Sequence, residues 1–149
     1  MTTPVTRIAI VGAGVIGASW ATAFLARGMD VVASDPAPGA EEALRKTVDA
    51  QWPAMVQIGL SPAASMERLR FVASPEDAVA DAGFVQENGP ERLDIKRNLF
   101  RRLDEAAPPD GFDVVLDLGH RGESRGARRA GPAAESELRD ASHAKLCLS

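Results

Sequence analysis

Cysteine and histidine are scarce in this sequence, which argues against disulfides and metal sites. The 149 residues include one cysteine, Cys147, and two histidines, His120 and His143. A single cysteine cannot form an internal disulfide, and its place near the C-terminus is more typical of a solvated thiol than of a catalytic one. Two histidines without paired cysteines do not make a set of metal ligands, so we expect no metal site.

Long hydrophobic runs are also missing. No apolar stretch approaches the roughly 20 residues of a membrane-spanning helix. The first residues, MTTP, lack the basic and apolar regions of a secretory signal. We therefore expect a cytoplasmic protein without a membrane partner. The length, the net charge of −4 and the 45% of hydrophobic residues indicate a globular chain with room for one domain.

Arginine is concentrated near the C-terminus, where a nucleic-acid site could be considered. The residues concerned are Arg121, Arg125, Arg128 and Arg129. Phosphate binding usually needs a basic surface, often with aromatic neighbours. Here the overall charge is acidic, acidic residues lie near the arginines and no aromatic residue accompanies them. We therefore expect no nucleic-acid partner.

A glycine turn follows the first apolar run of the chain. Residues 8–11, IAIV, predict a buried strand, and GAGVIG follows directly. In this pattern Gly12 permits the tight turn, Gly14 lets the backbone approach a pyrophosphate, and Gly17 lets the next helix lie close to the strand. The helix N-terminus then offers unpaired N–H groups to phosphates. The sequence thus predicts a dinucleotide site made by Gly12, Ala13, Gly14, Val15, Ile16 and Gly17.

An acidic residue, Asp35, closes the next predicted strand, residues 31–33. A carboxylate at this position can accept hydrogen bonds from the ribose hydroxyls of adenosine, whereas a 2′-phosphate would meet a like charge. Pro36 follows it, and not an arginine that could pair with that phosphate. NAD is therefore the expected cofactor. The alternative is that Asp35 is only an exposed turn residue before Pro36 and Pro38.

Strand and helix patterns continue to alternate after Asp35, which predicts a doubly wound parallel sheet of the Rossmann type. Further strands are expected at residues 69–72, 84–86 and 113–116. Helices are expected at residues 40–59, after the capping residue Ser74, and at residues 92–106. Pro53 is expected to kink or divide the helix in which it lies.

Apolar spacing predicts which helix faces are buried. In the helix after the glycine turn, Ile16, Trp20 and Phe24 are spaced as an apolar stripe. We interpret Trp20 and Trp52 as packing residues. The helix at residues 92–106 is expected to bury Ile95, Leu99, Phe100 and Leu103.

Polar residues follow the fourth predicted strand. Ligands of open α/β sheets bind outside the carboxyl ends of the strands, so the polar groups at residues 87–91 should share a rim with the glycine turn. Lys96 lies about one helical turn further on. Glu91 and Lys96 are then either cofactor contacts or, alternatively, a first-turn helix carboxylate and a solvated lysine. The pattern alone leaves both interpretations open.

Several stretches together resemble a known family. They are IAIVGAGVIGASW (8–20), DPAPGAE (35–41), WPA (52–54), RLRFV (68–72) and FVQENGPERLDIKRNLF (84–100). These stretches resemble the NAD-binding domain of the 3-hydroxyacyl-CoA dehydrogenases, and DPAPGAE and PERLDIK are most similar to the carnitine 3-dehydrogenase branch. The resemblance implies a homodimeric, NAD-dependent oxidoreductase that oxidises the 3-hydroxyl of a small substrate such as L-carnitine or a 3-hydroxyacyl-CoA. It also implies that Glu91 and Lys96 contact NAD.

The sequence departs from the family after about Leu116. The resemblance implies a serine-rich turn, a segment carrying the catalytic histidine, and then a helical substrate domain that holds the dimer interface. Residues 117–149 match none of these, and their glycine and arginine content predicts a poorly ordered tail. A frameshift near Leu116 would explain the departure, because LDLGH read one nucleotide later gives STSAT if its codons end in cytosine.

These expectations divide the chain into an NAD-binding domain at residues 1–116 and an aberrant tail at residues 117–149. Neither His120 nor His143 lies in the family's histidine motif, so we expect no catalytic residue and no turnover from this chain alone. The alternative is a module that binds NAD(H) without chemistry. The fifth strand is expected to be an open apolar edge of the sheet.

Overall fold

Strands and helices alternate along the chain, as the sequence predicts. The structure is a computed structural model that describes residues 5–88, 93–106, 108, 112–116 and 128–130. The strands are β1 (Arg7–Val11), β2 (Asp30–Ser34), β3 (Leu69–Val72), β4 (Phe84–Glu87), β5 (Phe112–Leu116) and β6 (Arg128–Ala130). The helices are α1 (Val15–Ala26), α2 (Ala40–Ile58), α3 (Pro75–Val79) and α4 (Leu93–Ala106).

The strands form one sheet in the order β3-β2-β1-β4-β5-β6. Strands β1 to β5 run parallel, and the central strand β1 pairs with β2 on one side and β4 on the other. The chain therefore builds outward from β1 to β3 and then crosses back to β4. This confirms the predicted doubly wound Rossmann-type sheet. It also places the topological switch point between β1 and β4, where open α/β sheets bind their ligands.

Helices cover both faces of the sheet, so the strands are buried on both sides. Alternate residues of β1 point to opposite faces. Ile8 and Ile10 join a core cluster with Leu25 of α1 and Leu44 of α2, whereas Ala9 and Val11 join a second cluster with Val79 of α3 and Leu103 of α4. Burial on both faces explains why β1 and β2 are continuous apolar runs.

The buried face of α1 differs from the predicted stripe. Ile16 is 53% exposed and Trp20 is 37% exposed, whereas the residues that face the sheet are Gly17, Ala18, Ala21, Thr22, Leu25 and Ala26. Most of these residues are small, because α1 lies too close to the sheet for large side chains at its N-terminal end. The packing interpretation is confirmed for Trp52 but not for Trp20, which is exposed on the surface of α1. Trp20 stacks on Phe24 with ring centroids 5.7 Å apart, and Trp52 packs against the core.

Pro53 lies inside α2, which runs unbroken from Ala40 to Ile58, so of the two expected effects, a kink or a division, the division does not occur. One prediction about α4 needs correction. Ile95 of α4 is 41% exposed, although Leu103 is buried and Leu99 is partly buried as predicted. The side chain of Phe100 lies outside the described residues. Ile95 is exposed because it lies in the first turn of α4, before the part of the helix that packs on the sheet.

The fifth strand is not the edge of the sheet. β6 pairs with β5 in the antiparallel direction, with Asp113 opposite Arg129. This three-residue strand lies within residues 117–149, of which the structure describes only residues 128–130. Pairing with β6 satisfies backbone groups of β5 that an open edge would leave exposed.

An ion pair joins the two helices on the α3–α4 face. Ser74 caps α3 by accepting a hydrogen bond from the Asp77 N–H, as predicted, and Glu76 follows in the first turn. Both carboxylate oxygens of Glu76 accept from the Arg102 guanidinium, with 2.9 Å between Arg102 Nη2 and Glu76 Oε2. The hydrogen bonds from Arg102 hold the pKa of Glu76 below its ordinary value of 4.5.

We expect the Glu76→Gln substitution to lower the free energy of unfolding at pH 7 by up to about 1 kcal/mol, because the pair is bidentate but partly solvated. A carboxylate whose pKa is depressed in the folded state stabilises the fold above pH 4.5, and this contribution is lost as the pH falls further. The difference between wild type and variant should therefore shrink in acid. Urea unfolding at several pH values measures it.

Glu42→Gln is the matched control, because Glu42 is an exposed acid in the first turn of α2. A pH-independent difference for Glu76→Gln, or an equal effect of Glu42→Gln, would contradict this account of the ion pair.

Candidate dinucleotide site

The glycine turn connects the end of β1 to the start of α1. Gly12 has a φ of 94°, a left-handed conformation that favours glycine. Its N–H donates to the Ser34 carbonyl at 2.9 Å, which ties the turn to the end of β2. Gly14 is the N-cap of α1, and its carbonyl accepts from the Ala18 N–H at 2.8 Å. The turn therefore aims the N-terminus of α1 at the carboxyl edge of the sheet.

Glycine at position 14 and glycine at position 17 have different physical explanations. A Cβ at Gly17 would lie 2.1 Å from the Gly12 carbonyl oxygen, so only glycine allows α1 to approach the turn this closely. A Cβ at Gly14 would meet nothing within 4 Å. The fold itself does not require glycine at position 14. The open space beside Gly14 lies where the backbone is free to meet a ligand.

No side chain in the first turn of α1 offsets the partial positive charge of the helix N-terminus. Gly14 provides no side-chain cap, and the first turn contains no acidic residue. Val15 is 79% exposed and Ile16 also lies at the surface. A helix N-terminus of this kind presents N–H groups and a partial positive charge to solvent. Such an end favours anionic groups, phosphates among them.

Asp35 lies immediately after β2 and bridges two loops. Its Oδ2 accepts from the Ala13 N–H and its Oδ1 accepts from the Ala37 N–H, both at 2.8 Å. Asp35 is half-buried, whereas the residues that follow it are exposed. The carboxylate therefore stands beside the glycine turn, as predicted. A carboxylate oxygen has more than one lone pair, so each can accept a further hydrogen bond.

The end of β4 lies on the other side of the turn. The Asn88 N–H donates to the Val11 carbonyl at 2.8 Å, and its side-chain Nδ2 lies 3.5 Å from the Gly12 carbonyl oxygen. This confirms that part of the polar segment after β4 shares a rim with the glycine turn. Gln86 and Glu87, the last residues of β4, are fully buried.

The sequence predicted most but not all of this cluster. It predicted the glycine turn and Asp35, and these lie together. Glu91 lies outside the described residues, and Lys96 is described only as a backbone position near the start of α4. The hydrogen bond from Gln86 to Asn88 and the contact of Asn88 with Gly12 were missed, because side-chain hydrogen bonds at strand ends leave no periodic signal. The available clue was a glutamine in an otherwise apolar parallel strand.

Other kinds of site find no support in the part of the chain that the structure describes. Three or more His, Cys, Asp or Glu side chains do not come together there in a metal-binding group. None of the helices at the described residues is long and apolar enough to cross a membrane.

Curated relatives of the chain are L-carnitine dehydrogenases. The Streptomyces coelicolor enzyme is 56% identical over 111 residues, which are 73% of this chain and 35% of that enzyme. The Pseudomonas aeruginosa enzyme is 47% identical over 146 residues, which are 98% of this chain and 42% of that enzyme. The chain thus spans well under half the length of these relatives.

Solved structures and a family match agree with the fold. A 5-formyl-3-hydroxy-2-methylpyridine 4-carboxylic acid 5-dehydrogenase, described as an NAD⁺-dependent dismutase, is 35% identical with a TM-score of 0.67, covering 79% of this chain and 38% of that one. The (S)-3-hydroxybutyryl-CoA dehydrogenase of Ralstonia eutropha shares the fold at 20% identity and a TM-score of 0.62, covering 76% and 48%. Residues 7–112 match the family described as 3-hydroxyacyl-CoA dehydrogenase, NAD binding domain. The chain therefore belongs to the 3-hydroxyacyl-CoA dehydrogenase family, of which it carries the NAD-binding domain.

Proposed function

We propose that this chain is the cofactor-binding portion of an oxidoreductase that oxidises the 3-hydroxyl group of a small substrate. L-carnitine is the leading candidate, because the curated relatives at 47% to 57% identity are L-carnitine dehydrogenases. A 3-hydroxyacyl-CoA is the second candidate, on the strength of the family match. The observation that carries the proposal is the open backbone at Gly14, on a helix N-terminus beside the Asp35 carboxylate.

The residues at the switch point suit the parts of NAD. The pyrophosphate would lie against Gly14 and the N–H groups that begin α1, where no side chain fills the space and the first helical turn carries no acidic residue. The ribose hydroxyls of adenosine would donate to Asp35, and Glu91 and Lys96 would contact the same cofactor further along the rim. Bound NAD would supply the hydride acceptor for the oxidation of a secondary alcohol.

Asp35 supports NAD as the cofactor in preference to NADP. Both of its oxygens already accept backbone N–H groups, which holds the carboxylate in one orientation. A 2′-phosphate brought against it would meet a fixed negative charge. A neutral ribose hydroxyl would instead add a hydrogen bond to an ionised acceptor, which is stronger than one to a neutral group.

The proposal for this chain alone is binding without turnover. Oxidation of an alcohol needs a base within reach of the hydroxyl, and histidine is the usual residue near neutral pH. His120 and His143 lie outside the described residues and outside the family's histidine motif. We propose that the part of the relatives that this chain does not span contains the catalytic histidine, the substrate domain and the homodimer interface. We also propose that the protein is cytoplasmic. By itself the chain would then act as an NAD(H)-binding module.

Two alanine substitutions separate folding from binding. Gly14→Ala should leave the melting temperature nearly unchanged, because the added Cβ enters open space. The same Cβ would occupy the proposed pyrophosphate position, so NADH binding should weaken about tenfold. Gly17→Ala should instead lower the free energy of unfolding by about 3 kcal/mol, through its clash with Gly12. Thermal unfolding and NADH fluorescence titration measure the two effects. The assignment is wrong if Gly14→Ala binds NADH like wild type.

Asp35→Asn should weaken NADH binding about fivefold and reduce the preference for NADH over NADPH. The substitution removes both the charged hydrogen-bond acceptor and the charge that opposes the 2′-phosphate. Titrations with both cofactors measure the ratio of dissociation constants. Asp49→Asn, at an exposed position on α2, makes the same change in net charge and should leave the ratio unaltered. An unchanged ratio for Asp35→Asn would count against its role in cofactor choice.

The purified 149-residue chain should bind NADH but oxidise neither L-carnitine nor a 3-hydroxyacyl-CoA. The expected result is no NADH formation at 340 nm above a blank without protein, in a sample whose NADH binding is verified by fluorescence. Verified binding ensures that a missing signal reflects missing catalytic groups and not an unfolded sample. Measurable oxidation of either substrate would refute the proposal that this chain binds the cofactor without turnover.

A further inference from the structure

One peptide group of the glycine turn is held from both of its ends. The Gly12 carbonyl and the Ala13 N–H belong to the same planar unit between β1 and α1. The N–H donates to Asp35 Oδ2 at 2.8 Å, and the carbonyl oxygen faces Asn88 Nδ2 at 3.5 Å. Asp35 follows β2 and Asn88 follows β4. The two neighbours of β1 therefore fix the plane of this peptide between them.

The orientation of the Asn88 amide is set by a residue deeper in the sheet. Gln86 is 1% exposed, and its Nε2 donates to Asn88 Oδ1 at 3.2 Å. Because Oδ1 accepts this bond, the Nδ2 donor must face the other way, towards Gly12. A buried amide without a partner is costly, so Gln86 has a physical reason to keep this arrangement.

Asn88 also contacts the start of α1. A Cβ at Gly17 would lie 3.2 Å from Asn88 Nδ2, so the amide occupies the narrow space between the turn and the helix. The Asn88 backbone is anchored as well, through its N–H to the Val11 carbonyl. A rotation of the Gly12–Ala13 peptide would then break the bond from Ala13 to Asp35 and move Gly12 away from Asn88.

We propose that Asn88, oriented by Gln86, is a positioning residue that holds the Gly12–Ala13 peptide, and with it the phosphate-facing end of α1, in the geometry that receives a diphosphate. The role rests on the proposed function for its ligand. Asn88 acts through the backbone of the turn and not through contact with the reacting atoms. Asp35 bonds the same peptide from the opposite side, so the carboxylate proposed to bind ribose also holds the glycine turn.

Amide hydrogen exchange tests this role without any ligand. In the full 149-residue chain, Asn88→Ala should raise the exchange rate of the Ala13 amide about fivefold relative to that of Ile10, a core strand residue, through loss of about one hydrogen bond. Gln86→Met, which removes the orienting donor at similar volume, should raise it about twofold to threefold. Gln51→Ala, the control, removes an amide that bonds Ser19 of α1 away from the turn and should change nothing.

Two exchange results would overturn the proposal. One is an unchanged Ala13 rate in Asn88→Ala. The other is an equal rise at Ala13 and Ile10, because that would mean a general loss of stability and not the release of one peptide.

Ligand binding provides the second readout. Asn88→Ala should weaken NADH and ADP about fivefold while adenosine, which has no diphosphate, stays within about twofold of wild type. Fluorescence titration measures the dissociation constant of NADH, and competition against bound NADH measures those of ADP and adenosine. An equal loss for adenosine and ADP, or no loss for ADP, would overturn the proposal. If wild type fails to bind NADH, the proposed function fails, and the exchange rates still decide whether Asn88 holds the turn.

Discussion

The close approach of α1 to the end of β1 is the constraint on which the rest of this structure depends. There is no room for a side chain at Gly17, because a Cβ would lie 2.1 Å from the Gly12 carbonyl oxygen. That distance explains why small residues line the inner face of α1 and why Ile16 and Trp20 lie on its flank. It also sets the N-terminus of the helix directly above the switch point. A helix held further away would leave its N–H groups too distant from the Asp35 carboxylate to share a ligand with it.

The two halves of the sheet supply different parts of the candidate site. β2 ends in Ser34 and is followed by Asp35, and both bond the turn from one side, whereas β4 leads into Asn88, which bonds it from the other. β1 contributes no charged or polar side chain at this edge, only the backbone of its turn. Residues that build the sheet and residues that shape the ligand-facing backbone are therefore different ones. Apolar alternation fixes the strands, and a few polar groups at the strand ends fix the ligand-facing backbone.

Local signals in the sequence predicted most of the fold. Apolar runs gave strands β1 to β5, the GAGVIG turn gave the start of α1, and Ser74 gave the cap of α3, because each depends on residues that are close along the chain. The predictions that failed depend on tertiary distance. The spacing of Ile16, Trp20 and Phe24 cannot reveal how near α1 lies to the sheet. The pairing of β6 with β5 and the contact of Asn88 with Gly12 join residues that are far apart in sequence. Within the site, Asp35 was predictable by position, whereas its bond to Ala13 was not.

The central position of β1 bears on the order in which the domain assembles. β1 pairs with β2 across a short connection that contains only α1, but its pairing of Ile8 with Phe84 closes a loop that contains α1, β2, α2, β3 and α3. Closing the longer loop costs more chain entropy, and pairings of distant segments tend to form late. By this argument we expect the seam between β1 and β4 to close after the pairing of β1 with β2. On the ribosome, the half of the site that carries Gly12 to Gly17 and Asp35 is synthesised before the strand and the loop that complete it, so the glycine turn exists as a chain segment before Asn88 is available to contact it.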